Sequence, residues 1–400
     1  MSSDALIDRL PFGPERGFRL IVTGGGTGGH TYPALTAVRA LKARLAAAGR
    51  TLDVLWVGQE ESLESRVAAA EGIAFASVAV GKIRRSSNPL KMISPANMAD
   101  MGRVPVGVLQ ARKIISRFAP DVVLATGGYV AVPVGVAATR LCHRPLVVHE
   151  QTVRLGLANK TLAGAARGVA VSSESTLTLL PASVREVAVV TGNPVRPEVL
   201  TGHAEKAVET LGLAGFDGRF PTVYVTGGAQ GSQQINTLVA ELLPWLLGHA
   251  NVIHQCGPDN LKGLRQQTAA LPRELAGRYH LTAYVGAELP DVLALADVVI
   301  SRSGAGTIAE LTALGKAAVF VPLATSAGNE QAHNAQHLEQ AGAAIALLGE
   351  VTVDRLREAV SPLLTNPQTR GAMAERARSH GRPDAAERLV DVVLSSAAGR

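Results

Sequence analysis

The chain has 400 residues, enough for two or three domains with large buried cores. Lys and Arg number 39 against 33 Asp and Glu, a formal excess of +6, and aromatic residues make up 4%. This mild basic balance suits an anionic small molecule or an anionic membrane surface. Without basic stretches interleaved with aromatics, it gives no support to a nucleic-acid partner.

Cys142 and Cys256 stand far apart without CxxC spacing, so neither a zinc site nor a redox pair is expected, and a reduced compartment fits. The segment 1–17 carries early acids and no apolar core of signal-peptide length. No run reaches the ~18 apolar residues of a bilayer span. A cytoplasmic protein is expected, meeting any membrane from its surface.

After that N-terminal extension, short apolar runs alternate with helical patterns. FRLIVTGG, LDVLWVG, FASVAV, DVVLATGG, PLVVHEQ, GVAVSS and VAVVTGNP read as buried parallel strands. PALTAVRALKARLAAAG, ESLESRVAAAEG and VGVLQARKIISRFA read as the helices between them. Strand–helix–strand repetition predicts right-handed crossovers and a doubly wound α/β sheet over 18–194. Prolines, glycines and charges interrupt the pattern, and a linker is expected at 195–220.

Alternation restarts with PTVYVTGG, NVIHQCG, YHLTAYVG, DVVISRSG, AAVFVPL and AAIAL, giving a second Rossmann-like domain over 221–380. The tail, 381–400, is helical and is a candidate to cross back and brace the first domain.

The turn GGGTGGHTYPAL follows the first strand. Gly24-x-Gly26-x-x-Gly29 satisfies the dinucleotide fingerprint, and Glu60 and Glu61 loosely supply its ribose acid. His30 and Tyr32-Pro33 fit that role poorly, and no Gly-Lys-Ser/Thr follows to make a Walker A loop. A dinucleotide site, another phosphate cradle at a helix N-terminus, and a turn that merely packs all remain open. His30 is either a packing residue or a general base, since an imidazole pKa of ~6.5 suits proton removal near neutral pH.

Three second-half stretches open helices after strands: VTGGAQGSQQIN, SRSGAGTIAEL and PLATSAGNEQAHNAQHL. The first offers a second anion-binding helix start. In the second, Glu310 could accept from a ribose diol or only complement the helix dipole. In the third, Asn329, Glu330, Gln331, His333 and Asn334 suit a hydroxyl-rich ligand. All three lie at the carboxyl edge of the sheet, where open α/β folds bind ligands. The segment GKIRRSSNPLKMISPANM sets Lys82, Arg84, Arg85 and Lys91 beside Ile83 and other apolar residues, a pattern that suits an anionic membrane surface and is open also to a solvated loop.

Together, GGGTGGHTYPAL, ATGGYVAVPVG, VVHEQTVRLGLANK, TGNPVR, VTGGAQGSQQIN and ADVVISRSGAGTIAEL followed by GNEQAHNAQHLEQAGAA resemble the MurG family in order along nearly the whole chain. These are undecaprenyl-diphospho-muramoyl-pentapeptide N-acetylglucosaminyltransferases. The resemblance implies the GT-B fold, with two Rossmann-like domains whose parallel sheets face across a cleft. It implies transfer of GlcNAc from UDP-GlcNAc to the C4 hydroxyl of the muramoyl sugar of lipid I, with inversion, giving lipid II for peptidoglycan. It implies no metal or other cofactor, and a peripheral position on the inner leaflet of the cytoplasmic membrane. Proteins of cell-wall synthesis or division are the implied protein partners.

Carried over residue by residue, His30 matches the proposed base, with Glu150 a less favoured candidate. Gly25 and Gly26, with Gly127, Gly128 and Tyr129 in the second glycine turn, match the acceptor and diphosphate side. Thr27, Gly28, Gly29, Thr152, Arg196, Ala229, Gln230, Gly306, Thr307, Glu310, Glu330 and Gln331 match the donor side. Thr152 stands where the family often has Asn, Ala229 where it often has Ser, and Glu330 where it often has an amide. These departures leave room for a related transferase with another lipid or natural-product acceptor. A nicotinamide-dependent oxidoreductase would leave the second-half motifs unexplained.

Overall fold

The computed structural model describes residues 3–13, 15–81 and 95–399. The chain divides into two compact units: residues 1–194 with 384–400, and residues 195–383.

The first unit is built on a parallel sheet of β1 (Phe18–Gly24), β2 (Leu52–Gly58), β3 (Ala74–Ser77), β4 (Val122–Gly127), β5 (Leu146–Glu150), β6 (Gly168–Val171) and β7 (Ala188–Val190). The strands lie in the order β3-β2-β1-β4-β5-β6-β7. Both faces of β4, β5 and β6 are buried, which is why these segments read as unbroken apolar runs. Phe18, Leu20, Trp56, Leu41 and Leu45 fill one face of the core, and Ile21, Val123, Val148 and Ile115 fill the other. Strand order reverses between β1 and β4, so the turns after those two strands flank a topological switch point.

The helix after β1 begins earlier than its apolar pattern suggests. It spans Gly28–Ala47 and carries Pro33 inside it. Proline lacks the N–H that would bond the carbonyl of Gly29, a loss tolerated this close to the helix start. The residues that look like a loose glycine turn in sequence therefore form the first helical turn.

Leu6, Ile7 and Leu10 of the N-terminal segment are buried in the same core. The C-terminal helix Ala385–Ala398 lies against the helices Gly28–Ala47 and Ser3–Asp8 and buries Leu389, Val390, Val393 and Leu394. Arg44 pairs with Asp391 across that contact at 2.6 Å.

The second unit repeats the plan with β8 (Thr222–Thr226), β9 (Asn251–Gln255), β10 (Tyr279–Thr282), β11 (Val298–Ser301), β12 (Ala317–Phe320) and β13 (Ile345–Ala346). The order is β10-β9-β8-β11-β12-β13, again parallel, with its switch point between β8 and β11. The stretch 195–220 is packed into this unit. Val195, Val199, Ala207 and Leu213 are buried with Ile253, Val292 and Phe320. Asn251 fixes its end by donating to the carbonyls of Asp217 and Phe220 and accepting from the Asp217 N–H. Prolines and glycines give this stretch a linker's composition, but its widely spaced Val195, Val199, Ala207 and Leu213 find the core, while Leu200 and Val208 stay exposed.

Leu389 is fully buried. Leu389→Ala is expected to cost the first unit about 3 kcal/mol, the usual range for a core leucine truncation. Urea unfolding followed by Trp56 fluorescence in a Trp245→Phe background checks it.

Candidate active site

In the first unit, three strand ends assemble the candidate residues. The turn after β1 and the turn after β4 touch. A Cβ on Gly128 would lie 2.3 Å from the Gly25 carbonyl oxygen, and its φ of +83° is one side chains rarely adopt, so only glycine fits. Glu64, almost fully buried, reaches beneath the first turn and accepts from the Gly26 N–H at 3.1 Å and the Gln59 N–H at 3.2 Å. The Gly26 amide is thus committed to a carboxylate. The N–H groups of Gly28 and Gly29, in the first turn of the helix that Thr27 precedes, have no intrahelical acceptor and remain for a ligand.

His30 follows in that same turn. The Thr126 hydroxyl at the end of β4 donates to its carbonyl at 2.9 Å, and its Nδ1 lies 3.0 Å from Gln151 Oε1 just past β5. A Cβ on Gly127 would come within 3.0 Å of the His30 ring, so the glycine leaves the imidazole its place. His30 is half-buried, and its Nε2 has no hydrogen-bond partner among the described residues. Tyr129, on the second turn, is 44% exposed.

Behind Gln151, His149 is wholly buried, and burial holds its imidazole down at about 4. Glu150 and Thr152 face inward. One Glu150 oxygen accepts from the Thr152 N–H at 3.1 Å and the Thr152 hydroxyl at 3.0 Å. The other accepts from the Gly156 N–H at 2.8 Å and Asn159 Nδ2 at 2.9 Å. With its oxygens occupied and its side chain buried, Glu150 anchors the loop and is not presented as a base. The Thr152 hydroxyl also lies 2.6 Å from the Arg154 carbonyl, so its one hydrogen is shared between that carbonyl and Glu150 and it too serves the loop. The motif HEQ points to an acid, but the residue it delivers toward His30 is Gln151. The strand's alternation, placing neighbours on opposite faces, is the signal that separates the two.

In the second unit, three helix starts line the carboxyl edge. The turn after β8 leads into the helix Gln233–Leu247, capped by Ser232, whose Oγ accepts from the Ile235 N–H. Gly228 and Gly231 spend their N–H groups inside the turn, on Thr226 Oγ1 and the Gly228 carbonyl. Ala229 and Gln230 are exposed, and their amides have no partner among the described residues. Arg302, after β11, braces the edge by donating to Ser232 Oγ, Gln234 Oε1 and the carbonyls of Val321 and Pro322. Sequence reasoning passed over it because an arginine beside SGAG looks like surface.

Gly306 and Thr307 lie half-exposed in the first turn of the helix Ala305–Leu314. A Cβ on Gly306 would meet nothing within 4 Å, so this turn is open. Glu310, one turn on, is paired with Arg196, whose Nε and Nη2 both contact Oε1 at 2.8 and 2.7 Å. The two expected donor contacts therefore hold each other, leaving Glu310 Oε2 without a partner among the described residues. Glu330 opens the helix Glu330–Gln340. Gln331 accepts from the Leu323 N–H through Oε1 at 3.0 Å, so its side-chain carbonyl is used and its amide N–H groups are not. The Ser303 hydroxyl donates to the Gln331 carbonyl and ties the two helix starts together.

Lys82, Ile83, Arg84, Arg85 and Lys91 lie outside the described residues. No helix among the described residues is long and apolar enough to cross a membrane, and none of their His, Cys, Asp and Glu side chains cluster in threes to hold a metal.

Two Rossmann-like sheets, each with glycine turns and open helix starts at its switch point, are a frame that suits a nucleotide-sugar enzyme. Family models agree. Glycosyltransferase family 28 N-terminal domain matches residues 20–171, and Glycosyltransferase family 28 C-terminal domain matches residues 222–389. A Bacillus licheniformis relative is 36% identical over 377 residues, 94% of this chain and 98% of its own. A Lacticaseibacillus casei relative is 34% identical over 378 residues, 94% and 98% of the two chains. Both are named UDP-N-acetylglucosamine--N-acetylmuramyl-(pentapeptide) pyrophosphoryl-undecaprenol N-acetylglucosamine transferase.

The crystal structure of Acinetobacter baumannii MurG superposes with a TM-score of 0.71 at 27% identity, covering 94% of this chain and 99% of that one. A Neisseria meningitidis UDP-GlcNAc 2-epimerase shares the fold alone, at 16% identity and a TM-score of 0.63 over 94% and 99% of the two chains. The chain belongs to the MurG family of glycosyltransferases. The oxyreductive alternative raised by Gly24-x-Gly26-x-x-Gly29 falls with that assignment.

Burial raises the Glu310 carboxyl above its ordinary value, and the Arg196 guanidinium only partly offsets this. A raised carboxyl supports folding below the ordinary carboxylate range, ~4.3, and that support is lost as pH climbs through the raised value. Glu310→Gln should therefore equal or exceed the parent's urea midpoint at pH 7 and lose that margin at pH 4. Trp245 fluorescence in a Trp56→Phe background reports the transition.

Proposed function

We propose that this chain transfers N-acetylglucosamine from UDP-GlcNAc to the C4 hydroxyl of the muramoyl sugar of lipid I, forming lipid II. The observation that carries the site chemistry is the open Nε2 of His30 at the first switch point, beside the uncommitted amides of Gly28 and Gly29. His30 Nε2 takes the proton of the acceptor hydroxyl as that oxygen attacks C1 of the sugar. The C1–O bond to the diphosphate breaks with its electron pair, UDP departs, and C1 inverts.

The leaving charge is met in the second unit by the open amides of Ala229 and Gln230 and by the helix start behind them. Ala229 lacks the hydroxyl often found there, but its amide is exposed and available. Arg196 adds positive charge while its Nε and Nη2 hold Glu310, whose free Oε2 accepts from the ribose. Gln331 donates to sugar hydroxyls through Nε2, and Glu330 accepts from them.

Transfer of label from UDP-[14C]GlcNAc to a lipid I analogue, unchanged by EDTA, is the expected result. Donor binding without transfer would redirect the proposal to a different acceptor. His30→Ala is expected to lower kcat by about 10²- to 10⁴-fold while leaving UDP affinity near the parent's, the usual loss for a general base. An unchanged kcat would remove His30 from that role.

A lipid-linked acceptor is met at a membrane. We assign that contact to the basic and apolar segment holding Lys82, Ile83, Arg84, Arg85 and Lys91. Neutralising its four cations is expected to abolish flotation with anionic liposomes at low salt. Flotation that persists would place the contact elsewhere.

A further inference from the structure

We propose that Gln151, backed by His149, is a positioning residue that fixes His30 in the tautomer with its proton on Nδ1, reserving Nε2 for the acceptor hydroxyl. The inference deepens the proposed role of His30 and rests on it. It starts from hydrogen-bond bookkeeping that leaves one solution.

Gln151 Nε2 lies 2.8 Å from the carbonyl oxygen of His149. A carbonyl only accepts, so the atom facing it must be the amide nitrogen. Reversing the amide would set two oxygens against each other in a buried site. The opposite end of the amide, Oε1, therefore faces His30 Nδ1 at 3.0 Å. An amide oxygen cannot donate, so Nδ1 must carry the hydrogen. A neutral imidazole has one N–H, and Nε2 is left with its lone pair.

His149 makes the same demand from the other side. Its Nε2 lies 3.0 Å from the Gly192 carbonyl, so that nitrogen is the N–H. Buried and held neutral, His149 presents an unprotonated Nδ1, which accepts from Gln151 Nε2 at 3.0 Å. Both Gln151 Nε2 hydrogens are then used, one on the His149 carbonyl and one on its ring. The chain runs His30 Nδ1–H to Gln151, Gln151 to His149, and His149 to Gly192, with every donor and acceptor matched.

No proton passes along this chain. When His30 Nε2 takes the acceptor proton, the imidazolium keeps its Nδ1–H bond to a neutral amide oxygen. A carboxylate at position 151 would pair with that charge; an amide orients the ring without binding the proton more tightly. The ionisable neighbours are few. Glu150 accepts from the Thr152 and Gly156 N–H groups and from Asn159 Nδ2, and His149 is neutral. Tyr129 stands on the turn after β4.

The test reads the tautomer directly and needs no substrate. The chain has ten histidines. Long-range 1H–15N spectra of 15N-histidine-labelled full-length protein at pH 8.5, where an ordinary imidazole is neutral, would be assigned for His30 by comparison with His30→Ala. The expected spectrum shows a pyrrole-like Nδ1 and a pyridine-like Nε2. The reverse pattern in the parent protein overturns the proposal outright.

Gln151→Met, close in volume but without polar atoms, is expected to give a tautomer mixture. It should also lower kcat about 10- to 100-fold with donor KM within about twofold, a loss smaller than that of removing the base itself. Parent tautomer and kcat in Gln151→Met would overturn the proposal. Should Gln151→Met fail to fold, the parent spectrum still decides. If the tautomer is as expected but His30→Ala keeps full activity, the base assignment fails and the hydrogen-bond chain stands as a structural contact alone.

Discussion

Strand order reverses between β1 and β4, and this reversal governs the first unit's chemistry. Crossover helices leave the two strands toward opposite faces, so their turns are not roofed by a common connection. The turns must then pack on each other without side chains. Gly25 and Gly128 meet at a distance no Cβ could occupy, and the positive φ of Gly127 and Gly128 bends the second turn into place. Because that contact holds the second turn, Gly127 can lie against the His30 ring, while Thr126 holds the His30 carbonyl and Gln151 meets the ring at Nδ1. Loss of the glycine contact would move the imidazole before it disturbed the sheet.

Two buried carboxylates do complementary work around that point. Glu64 takes the Gly26 amide and Glu150 takes the amides of Thr152 and Gly156. A glycine turn with all its N–H groups free would be a floppy anion trap. Committing some of them to internal carboxylates stiffens the turn and limits which amides an arriving diphosphate can use. The remaining open amides, those of Gly28 and Gly29, belong to a helix start and carry its dipole with them. The cost is negative charge near an anionic ligand. That cost is moderated because each carboxylate is already neutralised by N–H donors that point at it.

Much of this was legible in the sequence. Among the described residues the thirteen strands, seven and then six, coincide with apolar runs, and those covered on both faces, such as β4, β5 and β6, leave no polar alternation to confuse them. The parallel, doubly wound plan follows from the helical patterns between them. His30, Glu310 and Gln331 were marked by their position after strands. What was hidden depends on partners distant in sequence. Glu64 reads as one more acid in ESLESRVAAAEG, and nothing local says it is buried beneath a turn 38 residues away. The Arg196–Glu310 pair spans 114 residues, and each partner alone looks like a ligand contact. The stretch 195–220 looks like a linker because composition is read residue by residue, whereas its burial is set by Ile253, Val292 and Phe320.

The HEQ motif shows how a polar triplet divides its labour by strand geometry. His149 and Gln151 share one face, and Glu150 has the other. One face carries an oriented amide, and the opposite face carries a carboxylate locked to its own loop. Were Glu150 and Gln151 exchanged, a carboxylate would face His30 and set a negative charge beside the ring, where the amide sets none. An amide is the side chain that accepts from Nδ1 without adding charge, and it needs something to keep its two ends from exchanging. The His149 carbonyl supplies that constraint at 2.8 Å, and a histidine too buried to charge repeats it. A neutral amide held by a neutral histidine is thus a consistent way to orient a base without placing a charge beside it.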